Sequence, residues 1–148
     1  MPESRPPATA AQPRWDDINV GDTLLPLTLP PIDRTMLALY AGASNDHNPI
    51  HIDIDAARRA GMDDVIAHGM LSTAWLGRMI TQWVDQRQLR ALDVRFAGIT
   101  PLASQVTCSA RVVEKFTEND EARVRLEVQA GNQRGEIKLL GSAVVALS

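Results

Sequence analysis

A short turn in the first half of the chain carries an acid and a base five residues apart. Asp46 and His51 flank Pro49, which restricts the backbone here, so the two side chains are held rather than mobile. A carboxylate and an imidazole at this spacing can reach one water molecule. One can take up a proton while the other returns one, as the addition of water to a double bond requires. The turn therefore predicts acid–base chemistry on water.

A second feature lies at the start of the most apolar stretch, in the run from Ala67 through His68 and Gly69 to Met70. Backbone N–H groups at a helix N-terminus lack intrahelical acceptors, and the helix dipole favours negative charge there. Because Gly69 has no side chain, a ligand carbonyl could approach its N–H closely. One such donor stabilises a developing oxyanion by about 3 kcal/mol. The alternative is that Gly69 only relieves packing between the helix and a sheet.

Other interpretations of the turn remain open. An Asp in a turn commonly accepts a hydrogen bond from its own backbone, and a single His is often structural. A metal bound by His47, His51 and Asp53 is a further option. Pro49 removes the helical geometry in which a His-x-x-x-His pair binds a metal well, so we predict no metal site.

Length and composition indicate one globular domain of 148 residues with a sizeable core. We assign it to residues 15–148, and residues 1–14, which hold four prolines, to a disordered arm. The net charge of −3 and the lack of a basic cluster argue against nucleic acid and an anionic membrane as partners. The single cysteine, Cys108, excludes an intramolecular disulfide, and no signal peptide is visible. We therefore expect a cytoplasmic protein.

The elements that must position the turn are readable from local patterns. We predict a strand over 23–29, a helix from an Asp33 cap to Ala43, and a short helix from an Asp53 cap to Gly61. A third helix, over 67–85, is apolar around much of its circumference. Other elements must therefore surround it.

After Leu89 the hydrophobic period changes from 3.6 to 2, with strands over 93–96, 106–112, 123–129 and 137–147. Turn residues at 118–120 and 131–135 predict hairpins, so we expect these four strands to form a meander. One antiparallel sheet wrapped around one buried helix satisfies both patterns, an α+β architecture of the hot-dog type. The last strand is apolar on both faces. If it lies at an edge of the sheet, a second copy would cover it, so we expect a homodimer or a higher even oligomer.

Taken together, these residues resemble the MaoC-like family of hot-dog hydratases and dehydratases. The resemblance covers the turn, the short helix after it and the start of the long helix. The matching residues are Tyr40, Ala41, Ser44, Asp46, Asn48, Pro49, Ile50, His51, Asp53, Ala60, Gly61, Ala67, His68, Gly69 and Met70.

The resemblance implies a hydro-lyase acting on acyl thioesters. Asp46 and His51 would be the catalytic dyad that holds water for attack on a 2-enoyl thioester, and dehydration of a 3-hydroxyacyl thioester is the same path reversed. The Gly69 N–H would polarise the thioester carbonyl. The family uses no cofactor beyond the arm that carries its substrate, here CoA rather than an acyl-carrier protein.

The resemblance also implies a substrate-binding surface formed by Ala67, His68 and Asn48, with Asn48 shaping the turn rather than reacting. One departure is Asn45, which stands where the family usually has Gly. Asn tolerates positive φ, so the turn can survive this change, although substrate choice could differ. Two alternatives to a hydro-lyase are a non-catalytic subunit of a heteromeric dehydratase and an acyl-CoA thioesterase.

Overall fold

The computed structural model describes residues 11–148, so residues 1–10 of the predicted disordered arm lie outside the described residues. Within the rest of that arm, the Gln12 side chain accepts a hydrogen bond from the Asp85 N–H at 2.9 Å. The first half of the chain forms one short strand, β1 (Leu27–Thr28), and three helices, α1 (Arg34–Ser44), α2 (Ile54–Arg59) and α3 (Gly69–Trp83). The sheet is completed by β2 (Leu89–Phe96), β3 (Thr107–Glu118), β4 (Glu121–Gly131) and β5 (Ile137–Ala146).

The five strands form one antiparallel sheet in the order β1-β3-β4-β5-β2. The predicted meander is correct for β3, β4 and β5 but wrong for β2, which pairs with β5 at the far edge. The physical reason is the connection between β2 and β3. It spans residues 97–106, too long for a tight hairpin, and carries the chain from one edge of the sheet towards the other.

The position of β5 also differs from the prediction, because β5 lies inside the sheet and the edge strands are β1 and β2. The predicted burial on both faces of β5 is confirmed, since Ala143 through Leu147 are all buried. Gly141 allows β2 to approach closely, because a Cβ at this position would overlap the backbone carbonyl of Asp93.

Helix α3 packs one broad face into the core of the sheet. That face includes Leu71, Trp75, Leu76, Met79 and Ile80, all buried. The opposite stripe, formed by Met70, Ala74 and Arg78, is exposed in the single chain, so α3 is not surrounded on all sides as predicted. In the part of the chain that the structure describes, no helix combines the length and the apolar character needed to cross a membrane.

Local capping signals set the helix boundaries as predicted. The Asp33 carboxylate accepts from the Met36 N–H at 2.8 Å and starts α1. Asp53 caps α2 in the same way, and Gly61 follows that helix with a φ of +87°. Helix α3 is shorter than the predicted 67–85, because its two cap residues, His68 and Val84, are extended and the Ala67 N–H donates to the Thr100 carbonyl.

The first strand is also shorter than predicted. Segment 21–29 runs along β3, and the N–H groups of Gly21, Leu24 and Leu29 donate to β3 and to the residue just before it. Pro26 has no N–H, so the ladder is interrupted and only Leu27–Thr28 remains a regular strand.

Candidate active site

The turn that carries the acid is held by its own small polar side chains. The Ser44 hydroxyl accepts from the Asp46 N–H, and the Asn48 amide oxygen accepts from the Ile50 N–H, each at 3.2 Å. Asp46 Oδ1 accepts from the Asn48 N–H, also at 3.2 Å. Asn45, at the C-terminus of α1, adopts a left-handed conformation with a φ of 59°, as the substitution for Gly requires. The second carboxylate oxygen of Asp46, Oδ2, is left outside this pattern.

His51 ends a 3₁₀ turn at Pro49–His51 and is 8% exposed. Its Nδ1 lies 2.7 Å from the carbonyl oxygen of Ile66. Because a carbonyl only accepts, Nδ1 carries the proton in the neutral ring and Nε2 presents a lone pair. The buried imidazole is therefore held in one tautomer.

The free atoms of the acid and the base face each other across a gap. His51 Nε2 and Asp46 Oδ2 are 4.0 Å apart, too far for a direct hydrogen bond. With the neutral tautomer of His51, both atoms are acceptors, so a water molecule between them can donate one hydrogen to each. The Asp46 side chain is 47% exposed, which gives water access to the gap.

The segment just before α3 holds His51 in place through a backbone carbonyl. The Ile66 N–H donates to Ile50 at 3.2 Å, and the Ala67 N–H donates to Thr100 at 2.8 Å. These bonds fix the Ile66 carbonyl that orients His51. Ala67, predicted to bind substrate, is buried with its N–H already bonded, so it contributes mainly through this backbone framework.

His68 is buried against Asp46 and His51 and does not line the surface that is open to solvent. The residue is 1% exposed, its ring stacks on His51 with centroids 3.9 Å apart, and its Nε2 lies 3.1 Å from the Asp46 carbonyl oxygen. The Tyr40 ring packs edge-on against it at 4.8 Å. Burial lowers the pKa of His68 below its usual value. Burial, followed by the nearby Asp46 charge, raises the pKa of Tyr40.

Gly69 is the first residue of α3, immediately after the stacked histidine. Within the described residues, its backbone N–H makes no hydrogen bond to the protein. A Cβ at this position would lie 2.7 Å from the Phe96 ring, closer than side chains pack. Both features expected of Gly69, a free donor and a packing constraint, are present. Phe96 was missed by the sequence analysis, although its place in the alternation of β2 marked it as a residue of the helix-facing side.

Residues 18–137 match the family model described as MaoC like domain. The chain belongs to this family. A solved structure, the unliganded R-hydratase PhaJ1 from Pseudomonas aeruginosa, is similar with a TM-score of 0.79 and 28% sequence identity. The similarity covers 91% of this chain and 86% of that one, and it confirms the predicted hot-dog fold.

Two curated relatives match parts of this chain. Fatty acid synthase beta subunit hexB of Dothistroma septosporum is 29% identical over 105 residues, which is 68% of this chain and 5% of that protein. The mitochondrial 3-hydroxyacyl-[acyl-carrier-protein] dehydratase of Arabidopsis thaliana is 43% identical over 42 residues, 28% of this chain and 25% of that protein. The MaoC-like chain therefore spans only a small part of these curated relatives.

In this MaoC-like chain, Asp46, His51 and His68 offer ligand atoms within 4.8 Å of one another. The two imidazole rings are stacked at 25°, so their in-plane lone pairs run nearly parallel instead of converging on one ion. His51 Nδ1 and His68 Nε2 also already contact carbonyl oxygens. The arrangement suits a water molecule better than a metal. Asp53, from the metal set weighed in the sequence analysis, instead caps α2.

Proposed function

We propose that this MaoC-like chain is a hydro-lyase that adds water to 2-enoyl thioesters or removes it from 3-hydroxyacyl thioesters. The observation that carries the proposal is the pair of lone-pair atoms, Asp46 Oδ2 and His51 Nε2, facing each other at 4.0 Å. The names of two similar proteins, an R-hydratase and a 3-hydroxyacyl-[acyl-carrier-protein] dehydratase, support the same reaction class.

In the hydration direction, water donates hydrogen bonds to both members of the dyad. As its oxygen attacks Cβ, one O–H bond breaks and the proton passes to the dyad, while a C–O bond forms. Electron density moves to the thioester oxygen, where the Gly69 N–H stabilises the developing charge. The dyad then delivers a proton to Cα, which restores the carbonyl. Atoms and charge balance with water as the only second reactant.

This reaction moves protons and involves no net oxidation or reduction, so we expect no cofactor beyond the arm that carries the substrate. We propose CoA as that arm, with an acyl-carrier protein as the competing carrier. Asn48 spends its side-chain oxygen on the turn, which supports the shaping role inferred for it. A cytoplasmic location stays a prediction.

We infer that the functional unit is a homodimer assembled near β2. Three apolar side chains there are exposed in the single chain: Met70, Phe96 at 56% and Ile99. Strand β2 is an edge strand, with backbone groups free to pair with another strand. A second copy would cover these groups next to Gly69. Light scattering on the native protein and on Phe96→Asp measures this, with a dimer expected for the native chain and a monomer for the variant.

The first experiment follows the conjugated-thioester absorbance of trans-2-enoyl-CoA substrates with purified protein. We expect the absorbance to fall without release of free thiol. His51→Ala and Asp46→Asn should each reduce kcat by about 10²–10⁴-fold, as loss of a general acid–base group does.

Matched controls lie in the same segment. His47→Ala and Asp53→Asn remove a neighbouring imidazole and a neighbouring carboxylate, and we expect both to keep activity. Release of thiol would instead identify a thioesterase. Turnover that requires a second hot-dog chain would identify a heteromeric subunit, and equal activity in both dyad variants would contradict the proposal.

A further inference from the structure

The protonation pattern of His68 follows from what it contacts. Its Nε2 lies 3.1 Å from the Asp46 carbonyl oxygen, and that oxygen can only accept. Nε2 must therefore carry the proton. In the neutral ring, Nδ1 is then a bare acceptor. It is buried and has no hydrogen-bond partner among the described residues.

A second buried polar group without a partner among the described residues lies four residues further along the chain, in α3. The Ser72 hydroxyl is buried, with the residue 1% exposed, and it too lacks a partner within residues 11–148. An unpaired buried polar group is unfavourable, because it has given up its hydrogen bonds to water and gained none in return. A hydroxyl donor and an imidazole acceptor that both lack a partner can be joined through one internal water.

We infer that His68 is a positioning residue for the dyad, held as the Nε2–H tautomer by the Asp46 carbonyl, with one internal water joining its bare Nδ1 to the Ser72 hydroxyl. The inference rests on the proposed function and replaces the substrate-binding role expected from the family resemblance. It uses two contacts: the hydrogen bond that holds Asp46 by its backbone and the ring stack that supports His51.

The hydrogen bond matters because Asp46 is an exposed residue in a turn. Within the described chain, the remaining contacts that hold it come from Ser44 and Asn48, its neighbours in the same turn. Among the hydrogen bonds of residues 11–148, the one from His68 joins Asp46 to a buried side chain. Displacing a reacting group by about 1 Å can lower a rate about 100-fold, so this one tie can decide whether the carboxylate meets the water.

The stack matters because His51 must exchange a proton. The groups that face His68 are the Asp46 carboxylate and backbone, the His51 ring and the Tyr40 ring. Burial lowers the pKa of His68 and outweighs the opposite effect of the hydrogen bond to Asp46, and His51 acts in the same direction as burial, so the uncharged form of His68 is favoured. A neutral ring against His51 adds no repulsion when His51 takes up a proton.

Two substitutions separate the hydrogen bond from the imidazole. In His68→Gln, the amide Nε2 can still donate to Asp46, and we expect kcat within about 10-fold of the native value. His68→Leu removes the donor and should lower kcat about 100-fold. In both variants KM should change by less than about 3-fold, because a uniform binding contact is not lost. Ser72→Ala should lower kcat by less than His68→Leu.

The outcomes separate this inference from the function itself. Loss expressed only in KM would return His68 to substrate binding, and an unchanged kcat in His68→Leu with a lower Tm would leave it a purely structural residue. Either result overturns the positioning role while His51→Ala and Asp46→Asn remain inactive. If those two dyad variants keep full activity, the proposed function fails instead.

A measurement on the unmodified protein avoids dependence on the folding of any variant. Nitrogen-15 NMR of the imidazole rings reports tautomer and charge directly. We expect His68 to be a neutral Nε2–H ring at pH 7 and to take up a proton only at a lower pH than an ordinary histidine does. A proton on Nδ1 of the neutral ring, or titration of His68 at or above the ordinary histidine pKa, would contradict the inference.

Discussion

Acidic and basic side chains cluster in two regions of the molecule. In one region they are paired with each other, and in the other they are not. At the end of the sheet, both oxygens of Glu121 are occupied by the guanidinium groups of Arg90 and Arg123. In the turn, Asp46 Oδ2 and His51 Nε2 stand 4.0 Å apart with no direct bond. A carboxylate whose oxygens are both hydrogen-bonded contributes to structure. A carboxylate or imidazole with a free lone pair is available for chemistry.

At the same end of the sheet, hydrogen bonds join the segment around Trp15 to the C-terminal residue and to β4. The Trp15 backbone N–H donates to Ser148 at 3.0 Å, and its indole donates to the Arg123 carbonyl at 3.2 Å. The Lys115 ammonium lies 3.8 Å from the centroid of the Trp15 ring and donates to the Trp15 and Ile18 carbonyls. These groups satisfy one another, so substitutions here should alter stability without altering chemistry.

The largest effect that sharpens this contrast is expected from Gly69→Ala. The added Cβ would lie 2.7 Å from the Phe96 ring, so either this exposed ring or the start of the helix must shift. A methyl group beside the Gly69 N–H would also hold a thioester carbonyl away from that donor. We expect kcat to fall about 100-fold in the enoyl-CoA assay, because small displacements of reacting groups cost rates of this size.

The double variant Gly69→Ala with Phe96→Val removes the overlapping ring and tests why Gly69 is needed. If close approach of the substrate to the N–H is required, the double variant regains Tm but not kcat. Recovery of both would show that Gly69 serves packing alone and would remove it from the proposed mechanism.

An intermediate effect, on stability only, is expected at the sheet end. Trp15→Ala removes the indole hydrogen bond, the contact with Lys115 and packing against the core. We expect a loss of about 1–3 kcal/mol in the free energy of unfolding, measured by urea titration, with kcat unchanged at 25 °C. Trp15→Phe keeps a ring over Lys115 and should lose about half as much. A drop in kcat in either variant would mean that the two regions are coupled.

The smallest effect is a pH-dependent one at Glu121. Hydrogen bonds from Arg90 and Arg123 lower the pKa of its carboxyl to about 2. A lowered folded-state pKa means that the stabilisation is present above the ordinary carboxyl pKa near 4.5 and is lost as the pH falls towards 2. The Tm of Glu121→Gln should therefore lie slightly below that of the native protein at pH 7.

The difference in Tm should disappear as the pH approaches 2. Asp120→Asn, which removes the same charge from the neighbouring position, is the control and should show a smaller dependence on pH. A Tm difference for Glu121→Gln that stays constant from neutral pH to acid would show that the carboxylate charge does not contribute.

Much of the site was predictable because its determinants are local. Asp33 and Asp53 cap helices within three residues of themselves, as their sequence contexts indicated. The proximity of Asp46 and His51 was also predictable, since Pro49 and the hydrogen bonds of Ser44 and Asn48 act within one turn. Propensities and caps operate over a few residues, and such interactions can be inferred from order in the chain.

The pairing of strands was less predictable. The alternation in β2 marked it correctly as a strand, but nothing in that alternation distinguishes β3 from β5 as its partner. The close approach permitted at Gly141 belongs to the β2–β5 pair and appears only once the two strands are side by side.

The roles within the site show the same division. That Asp46 and His51 share a turn follows from residue types and spacing alone. The tautomer of His51 depends on the Ile66 carbonyl. The contact of His68 with Asp46 depends on the packing of α3 against the turn. The limit on side-chain size at position 69 depends on Phe96 in β2. These contacts join residues separated by 15 to 27 positions in the chain. Local order therefore specified the chemical groups, and packing of distant segments decided their protonation, orientation and access.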